Sequence, residues 1–354
     1  MKYLFAIGLV GLALSLSAQN FQRNEIKIPD IPGYLTLKCD FHLHTYYSDG
    51  EVSPESRVRE AWIEGLDAIA LSDHLEGWRF KDGEDASRNK PFEDAKEMAQ
   101  IQDIILIRGI ELTKGMPPGH FNLLFLHDAD KIHKKNYKLA LQEAKKQGAF
   151  ILWNHPGWKQ QAPDGAVWYN EHTEIYNNGW MHGIEVSSWG SFYPEAMDWA
   201  LEKDLAVVGN TDSHIPMNDF LSLTDMSHRT MSIVFAKERT AEGIKEALLD
   251  KRSVVWNQDK IIGRKDIVEQ LVKECISIKS VIKINKYDYY VQLYNNSDFN
   301  FLISLVDGNG WTQKVFAGNT IRFYIKTKEV NELKLRFENV IISSDEVLET
   351  VIKI

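Results

Sequence analysis

The sequence predicts an α/β protein: a parallel sheet or barrel over roughly residues 35–256, followed by a small antiparallel β domain. Three observations lead there. Short apolar runs alternate with helical stretches through the first two thirds of the chain. After about Ser277 the pattern changes to alternating strands with Asn/Asp/Gly turns and no histidine. Within the first of these regions, His, Asp and Glu residues gather at the ends of the apolar runs.

Taken in order, residues 1–18, "MKYLFAIGLVGLALSLSA", have a lysine, an apolar run and a small-residue exit. That is the pattern of a secretory signal peptide, cut after Ala18 or, because Leu16 is large, near Ser17. The run is short for a transmembrane helix and no cysteine follows it, so no membrane anchor is expected after cleavage. The expectation is an exported protein, periplasmic or secreted. The remaining chain, about 336 residues, suits one large domain plus a small one.

The strands are read as "LTLKCDFHLH", "LDAIALSDH", "DIILIRGIEL", "FNLLFLH", "GAFILWNH", "GIEVSS" and "LAVVGNTDSH". Each is short and apolar, as strands buried on both faces are. Helices are expected at "SPESRVREAWIEG", "NKPFEDAKEMAQ", "NYKLALQEAKKQG" and "YPEAMDWALEKD". The first has a serine cap, a proline in its first turn and a stop at Gly65. A connecting helix is read over 261–276, "IIGRKDIVEQLVKECI". The expected organisation is therefore a leader at 1–18, a barrel at 19–260, the connector at 261–276 and a β-sandwich-like domain at 277–354.

The formal charge is −9, or −10 without the leader's lysine, so no general nucleic-acid binding is expected, although a local basic site is not excluded. Cys39 and Cys275 show no metal spacing and are read as separate buried thiols.

The chemistry collects at strand ends, where parallel barrels keep their sites. His42 and His44 lie two apart in an extended segment and so face the same way, and Asp49 follows a turn away. Asp73 and His74, Glu111, His155, and Asp212 with His214 end four further runs. Five strands ending this way point to a multinuclear metal site. The motifs "FHLHTYYSDG", "AIALSDH", "GIEL", "NHPG" and "GNTDSH" resemble, in order, those of the PHP (polymerase and histidinol phosphatase) family over residues 36–256. The resemblance implies a distorted (β/α)7 barrel with three divalent ions, zinc, manganese or iron. It places one ion on His42, His44, Glu111 and Asp212, with Glu111 bridging to a second held also by His120 and His155. The third falls to Asp49, His74 and His214. His120 precedes its apolar run instead of ending it, and His127 is the competitor. His133, His172, His182 and His228 read as surface or loop histidines.

Such a site suits hydrolysis, with a metal-bridging hydroxide as nucleophile. Asp212 is the residue expected to deprotonate or orient the attacking water, besides binding metal. Arg79 and Lys159 are the expected phosphate contacts, with Arg229 a lesser one. Trp78, Trp158 and Trp189 are placed to wall the pocket, and Asp73 and Asn154 to support the ligands. An exported PHP barrel with a β domain resembles phosphodiesterases of small organophosphate or nucleotide-type diesters. The alternatives are a phosphomonoesterase of the same fold, an amidohydrolase- or lactonase-type hydrolase, or a binding protein whose metals only hold the barrel.

Overall fold

The computed structural model describes residues 22–132, 135–306 and 311–354; the leader-like stretch 1–18 and His133 lie outside the described residues. Among the described residues no helix is long and apolar enough to cross a membrane.

The barrel is built from β1 (Leu35–Leu43), β2 (Ala68–Leu71), β3 (Ile105–Leu112), β4 (Phe121–Leu124), β5 (Phe150–Trp153) and β6 (Gly183–Ser188), then β7 (Ser191–Phe192) and β8 (Ala206–Asn210). β1, β2 and β3 run parallel, as do β5, β6 and β8, while the two-residue β7 only folds back on β6. β4 runs against both β3 and β5, which distorts the barrel and brings the amino end of β4 to the face where the other strands finish. That reversal explains how His120, just before β4, reaches the same face as residues that end their strands.

β9 (Met231–Ala236) pairs antiparallel with β1, and closure beside it is partly made by a side chain. The Ser232 hydroxyl accepts from Gly209 N–H at 3.0 Å and donates to Gly209 C=O at 2.8 Å, standing in for a backbone rung. Further up, Leu43 and Ser213 pair directly.

Side-chain alternation sorts the core into layers. Ile69 and Leu71 pack with Val58 and Ala61 of the helix Pro54–Ile63. Ala68 and Ala70 point the other way, into an interior shared with Cys39, Phe41, Phe150, Leu152 and Val208. Both cysteines are free and buried. The helix Pro54–Ile63 starts where Ser53 Oγ accepts from Ser56 N–H, and the chain leaves it at Gly65, whose φ of +82° suits glycine.

β10 (Ser253–Asn257) and β11 (Lys260–Gly263) form a hairpin on β9. The connector expected as one helix over 261–276 therefore begins as a strand, and its helix occupies only Lys265–Cys275. The apolar pair Ile261–Ile262 finds a better partner in the β10 edge than in a helical turn.

The C-terminal strands are β12 (Ile276–Lys283), β13 (Asp288–Asn295), β14 (Phe301–Leu305), β15 (Gln313–Val315), β16 (Thr320–Lys326), β17 (Glu332–Ile341) and β18 (Val347–Lys353). They form two layers, β12-β13-β16 and β15-β14-β17-β18, packed through Val291, Leu293, Phe301, Phe323, Leu335 and Phe337. One residue in two is buried along β13, as in a sheet with one wet face. β17 also pairs in parallel with β11, Ile261 opposite Val340 and Ile262 opposite Ile341. The second layer is therefore continuous with the barrel sheet.

Arg229 is not a pocket cation. It is 1% exposed and ion-paired with Asp40 (Nη1–Oδ2, 3.1 Å) and Glu64 (Nε–Oε2, 2.6 Å), so its charge is spent in the interior. Burial lifts the Asp40 carboxyl above its usual range, and Arg229 and Thr211 oppose that rise. Replacing Arg229 with methionine leaves a buried carboxylate without its cation, at an expected cost of about 3–5 kcal/mol in urea unfolding. With the counter-charge gone, Asp40 holds a proton to higher pH in the folded than in the unfolded chain. The loss is accordingly expected to be smaller at pH 5 than at pH 8.

Candidate metal centre

β1 and β2 pair with a register break between Asp40 and Leu43, and this bulge aims the end of β1 into the barrel mouth. The His42 and His44 rings come to 5.1 Å between centroids. The chain then turns back through Gly50, whose N–H donates to Thr45 C=O at 2.9 Å. A side chain on Gly50 would meet the His44 backbone at 2.7 Å, so this turn requires glycine. The turn is tied down from beneath. Asp73 accepts from Thr45 N–H, Thr45 Oγ1, Ser48 N–H and Ser48 Oγ at 2.7–3.2 Å. Buried Arg57 donates to the carbonyls of His44, Ser213 and Ile215, each at 2.9 Å, fastening two ligand-bearing loops to one helix.

At the centre stands Glu111, fully buried. Its Oε1 lies 3.0 Å from His120 Nδ1, 3.4 Å from His42 Nε2 and 3.5 Å from His155 Nε2. Its Oε2 lies 2.5 Å from His74 Nδ1 and 3.8 Å from His44 Nε2. Asp212 Oδ1 is 3.0 Å from His44 Nε2 and 3.1 Å from His42 Nε2. Asp49 approaches His74 and His214, each at 3.4 Å. All nine residues read from the sequence as ligands thus meet in one cluster. Eight of them fall into three groups with atoms close enough to share an ion: His44, Asp49, His74 and His214; His42, Glu111 and His155; His42, His44 and Asp212. The groups overlap more than the sequence reading assigned, because His44 joins the Asp49 group and Glu111 reaches His74. His120 joins through Glu111.

The donor set fits divalent cations on two grounds. Ligand atoms each about 2.1 Å from one ion lie roughly 3.0–3.4 Å apart at right-angled to tetrahedral geometry, and several of the separations above fall there. Moreover, His42 Nε2, His44 Nε2 and Glu111 Oε2 are buried and make no hydrogen bond despite these short approaches. These three atoms sit close together without bonding one another, as ligand atoms around an ion do, whereas unpaired buried polar atoms are otherwise costly.

The carboxylates and imidazoles hold one another in charged forms. Burial resists charging His74, but Glu111 and Asp49 outweigh it and hold its pKa up to about 11. His42, His155 and His214 are raised in the same way against burial. His44 goes the opposite way, pushed down to about 3 by burial and by the neighbouring His214 and His74. Glu111 and Asp212 resist burial and lie below the usual carboxylate range because imidazoles surround them.

One residue that the sequence reading passed over completes the centre. Glu185, buried in β6, accepts from His42 Nδ1–H (2.9 Å), His155 backbone N–H (2.7 Å) and Asn210 Nδ2–H (2.7 Å). A carboxylate only accepts, so it keeps a proton on His42 Nδ1, and the proton that His42 gives up to a metal is the one on Nε2. The signal was present, a glutamate inside the apolar run "GIEVSS", but with no second polar residue beside it. Asn154 donates to Glu111 Oε1 and to Asn122 Oδ1, each at 2.9 Å. His155 and Asp212 take left-handed backbone angles, φ +26° and +54°, a strain that the surrounding bonds must hold.

The remaining expectations divide. Arg79 and Lys159 are exposed, and neither makes an ion pair among the described residues. Arg79 N–H donates to Tyr47 C=O beside the metal loop, and Lys159 follows Trp158, whose ring edges His155 and His120. Trp189 donates from Nε1 to Asp212 C=O at 3.0 Å. Trp78 is no pocket wall: it is buried and donates to Asp85 C=O. His172 is not at the surface but buried against Trp153, donating to Pro118 C=O.

Two outcomes follow. Glu185→Gln should weaken divalent-ion binding about 10- to 100-fold in chelator competition, while the fold persists by circular dichroism. Metal uptake near neutral pH should release protons, since imidazoles held protonated must give them up. Apparent affinity should therefore rise with pH, about tenfold per unit for each proton displaced, measurable by calorimetry in buffers of different ionisation enthalpy.

The PHP domain family model matches residues 40–189. A solved two-domain protein from Bacteroides vulgatus ATCC 8482, containing a predicted PHP-like metal-dependent phosphoesterase, is 38% identical with a TM-score of 0.87. The match covers 94% of this chain and 99% of that one. An uncharacterized protein of Methanocaldococcus jannaschii is 38% identical over 82 residues, 23% of this chain, and the match spans about a third (36%) of that protein's length. Histidinol phosphate phosphatase of Lactococcus lactis, solved with zinc, L-histidinol and phosphate, is 15% identical with a TM-score of 0.32, too weak a likeness to bear on the chemistry here. With a nine-residue ligand cluster at the mouth of a distorted barrel and a whole-chain relative at this identity, the chain belongs to the PHP-like metal-dependent phosphoesterases.

Proposed function

We propose that this chain is an exported phosphodiesterase acting on small organophosphate or nucleotide-type diesters at a site for three divalent ions. The observation that carries the reading is the convergence on buried Glu111 of imidazoles from four segments of the chain, with His42 Nε2, His44 Nε2 and Glu111 Oε2 themselves unpaired. Bound divalent ions, whether zinc, manganese or iron, would supply Lewis acidity toward phosphoryl oxygens and make water acidic near neutral pH. The chain's own residues do the rest. His42, His44, Glu111, His120, His155 and Asp212 hold one side of the centre, and Asp49, His74 and His214 the other.

Asp212 is the group that handles the proton. Trp189 Nε1–H and His214 Nδ1–H both bond its backbone carbonyl, at 3.0 and 2.9 Å, so its carboxylate is presented from a braced main chain. The imidazoles around it keep the carboxylate ionised, which leaves it free to accept a hydrogen bond from an attacking water and orient it. Arg79 and Lys159, exposed beside the loops at the mouth, are placed to meet the phosphate oxygens. Export rests on the leader-like residues 1–18 alone.

Manganese-, zinc- or iron-loaded protein should release alcohol from a bis-ester faster than phosphate from the matching monoester. Cleavage of the monoester alone would make the protein a phosphatase, and turnover of amides or lactones without either would make it a carbon-centred hydrolase. Asp212→Asn should lower kcat at least about 100-fold, and His42→Ala with His44→Ala should abolish turnover. Arg79→Ala should act mainly on KM, by about tenfold, as removal of a ground-state contact does.

A further inference from the structure

The outer face of the β12-β13-β16 sheet is unlike the rest of the chain. Segments 276–295 and 320–328 carry six cations against one acid, Asp288, in a protein of net charge −9; Lys279, Arg322 and Lys326 lie on this face, whereas Lys283, opposite the buried Tyr289, lies on the other. The strand register places Tyr290 opposite Tyr324, Gln292 opposite Arg322 and Asp288 opposite Lys326, so these side chains share one face. The opposite face, with Val291, Leu293 and Phe323, is the domain core.

Two of the cations on this face are held by aromatic rings. Arg322 lies over Tyr290 at 5.2 Å. Lys279 lies over Tyr294 at 5.6 Å and crosses the sheet to donate to Thr320 Oγ1 at 3.4 Å. Tyr324 is different: it is 51% exposed, its hydroxyl is held by Asp288 at 2.5 Å, and no cation lies over its ring among the described residues. Tyr290 meets it edge-on at 5.7 Å. The result is a stripe of positive charges, two of them held over rings, beside an exposed, oriented ring.

We infer that this face binds single-stranded nucleic acid, with Lys279, Arg322 and Lys326 on backbone phosphates and Tyr324 stacking a base. Charge complementarity selects a polyanion, and an aromatic ring beside cations on an exposed sheet is the arrangement that suits unstacked bases. The choice of a nucleic acid among polyanions rests on the phosphodiester reading of the barrel; binding and turnover are measured separately below, so the two readings fail separately. The overall negative charge makes the contact local to this sheet and strongly dependent on salt.

The test is fluorescence anisotropy of a labelled twenty-residue oligothymidylate titrated with the full chain in EDTA, where no metal-dependent cleavage occurs. Saturable binding is expected, and for three phosphate contacts it should weaken about twentyfold between 50 and 200 mM salt. Tyr324→Ala should weaken it at least about fivefold, and Lys279→Glu with Arg322→Glu should abolish it. Arg322→Lys should retain most of it, which separates lost contacts from lost folding. Lys146→Glu, on a barrel helix, should change nothing. Absence of saturable binding at 50 mM salt would overturn the inference, as would binding indifferent to these substitutions. Capture of a sulfated glycan in preference to the oligonucleotide would also overturn it.

Discussion

The structure is organised around one buried carboxylate that must never be left alone. Glu111 has no solvent access and faces five imidazoles, those of His42, His44, His74, His120 and His155. A charge in such a place costs several kcal/mol unless it is matched and hydrogen-bonded. The matching groups come from β1, the loop after β2, the turn before β4 and the loop after β5, so the barrel has to close for the charge to be tolerated. Asn154, Glu185, Asp73 and Arg57 are the means of that closure. Each spends its hydrogen bonds on a ligand or on the backbone beside one.

The same constraint explains where strain is stored. His155 and Asp212 adopt backbone angles that residues with side chains rarely take, and both follow directly on strands. A rigid strand end can hold a turn of that kind, because the ladder on one side and hydrogen-bond partners on the other resist relaxation. His155 N–H is caught by Glu185, and Asp212 C=O is held by both Trp189 and His214. Side chains from strands far apart in sequence are thereby brought to a few common points.

Much of this was legible in the sequence because ligands must cap strands. A polar residue that ends an apolar run stands out, and His42, His44, His74, Glu111, His155, Asp212 and His214 all do so. His120 was harder, since only the reversed direction of β4 explains a ligand at the start of a strand. Glu185 and Arg57 stayed hidden for a different reason. Each is one charged residue inside an otherwise ordinary strand or helix, and its partners at the centre lie 13 to 158 positions away. Arg229 was misread because a cation in a loop looks alike whether it faces solvent or a buried Asp40. The pairing of β11 with β17 joins residues about 80 apart, and no local pattern announces it.

That pairing has a consequence for how the molecule behaves among its neighbours. Without β17, β11 would end the barrel sheet, a short apolar strand offering a free row of amide and carbonyl groups to any chain that drifted past. The C-terminal domain fills that row with a strand of its own and moves the outer borders of the sheet to β15 and β18. Its exposed side chains there include Lys314, Glu349 and Lys353, which discourage a further strand from adding on. The appended domain thus leaves the barrel no unpaired β11 edge.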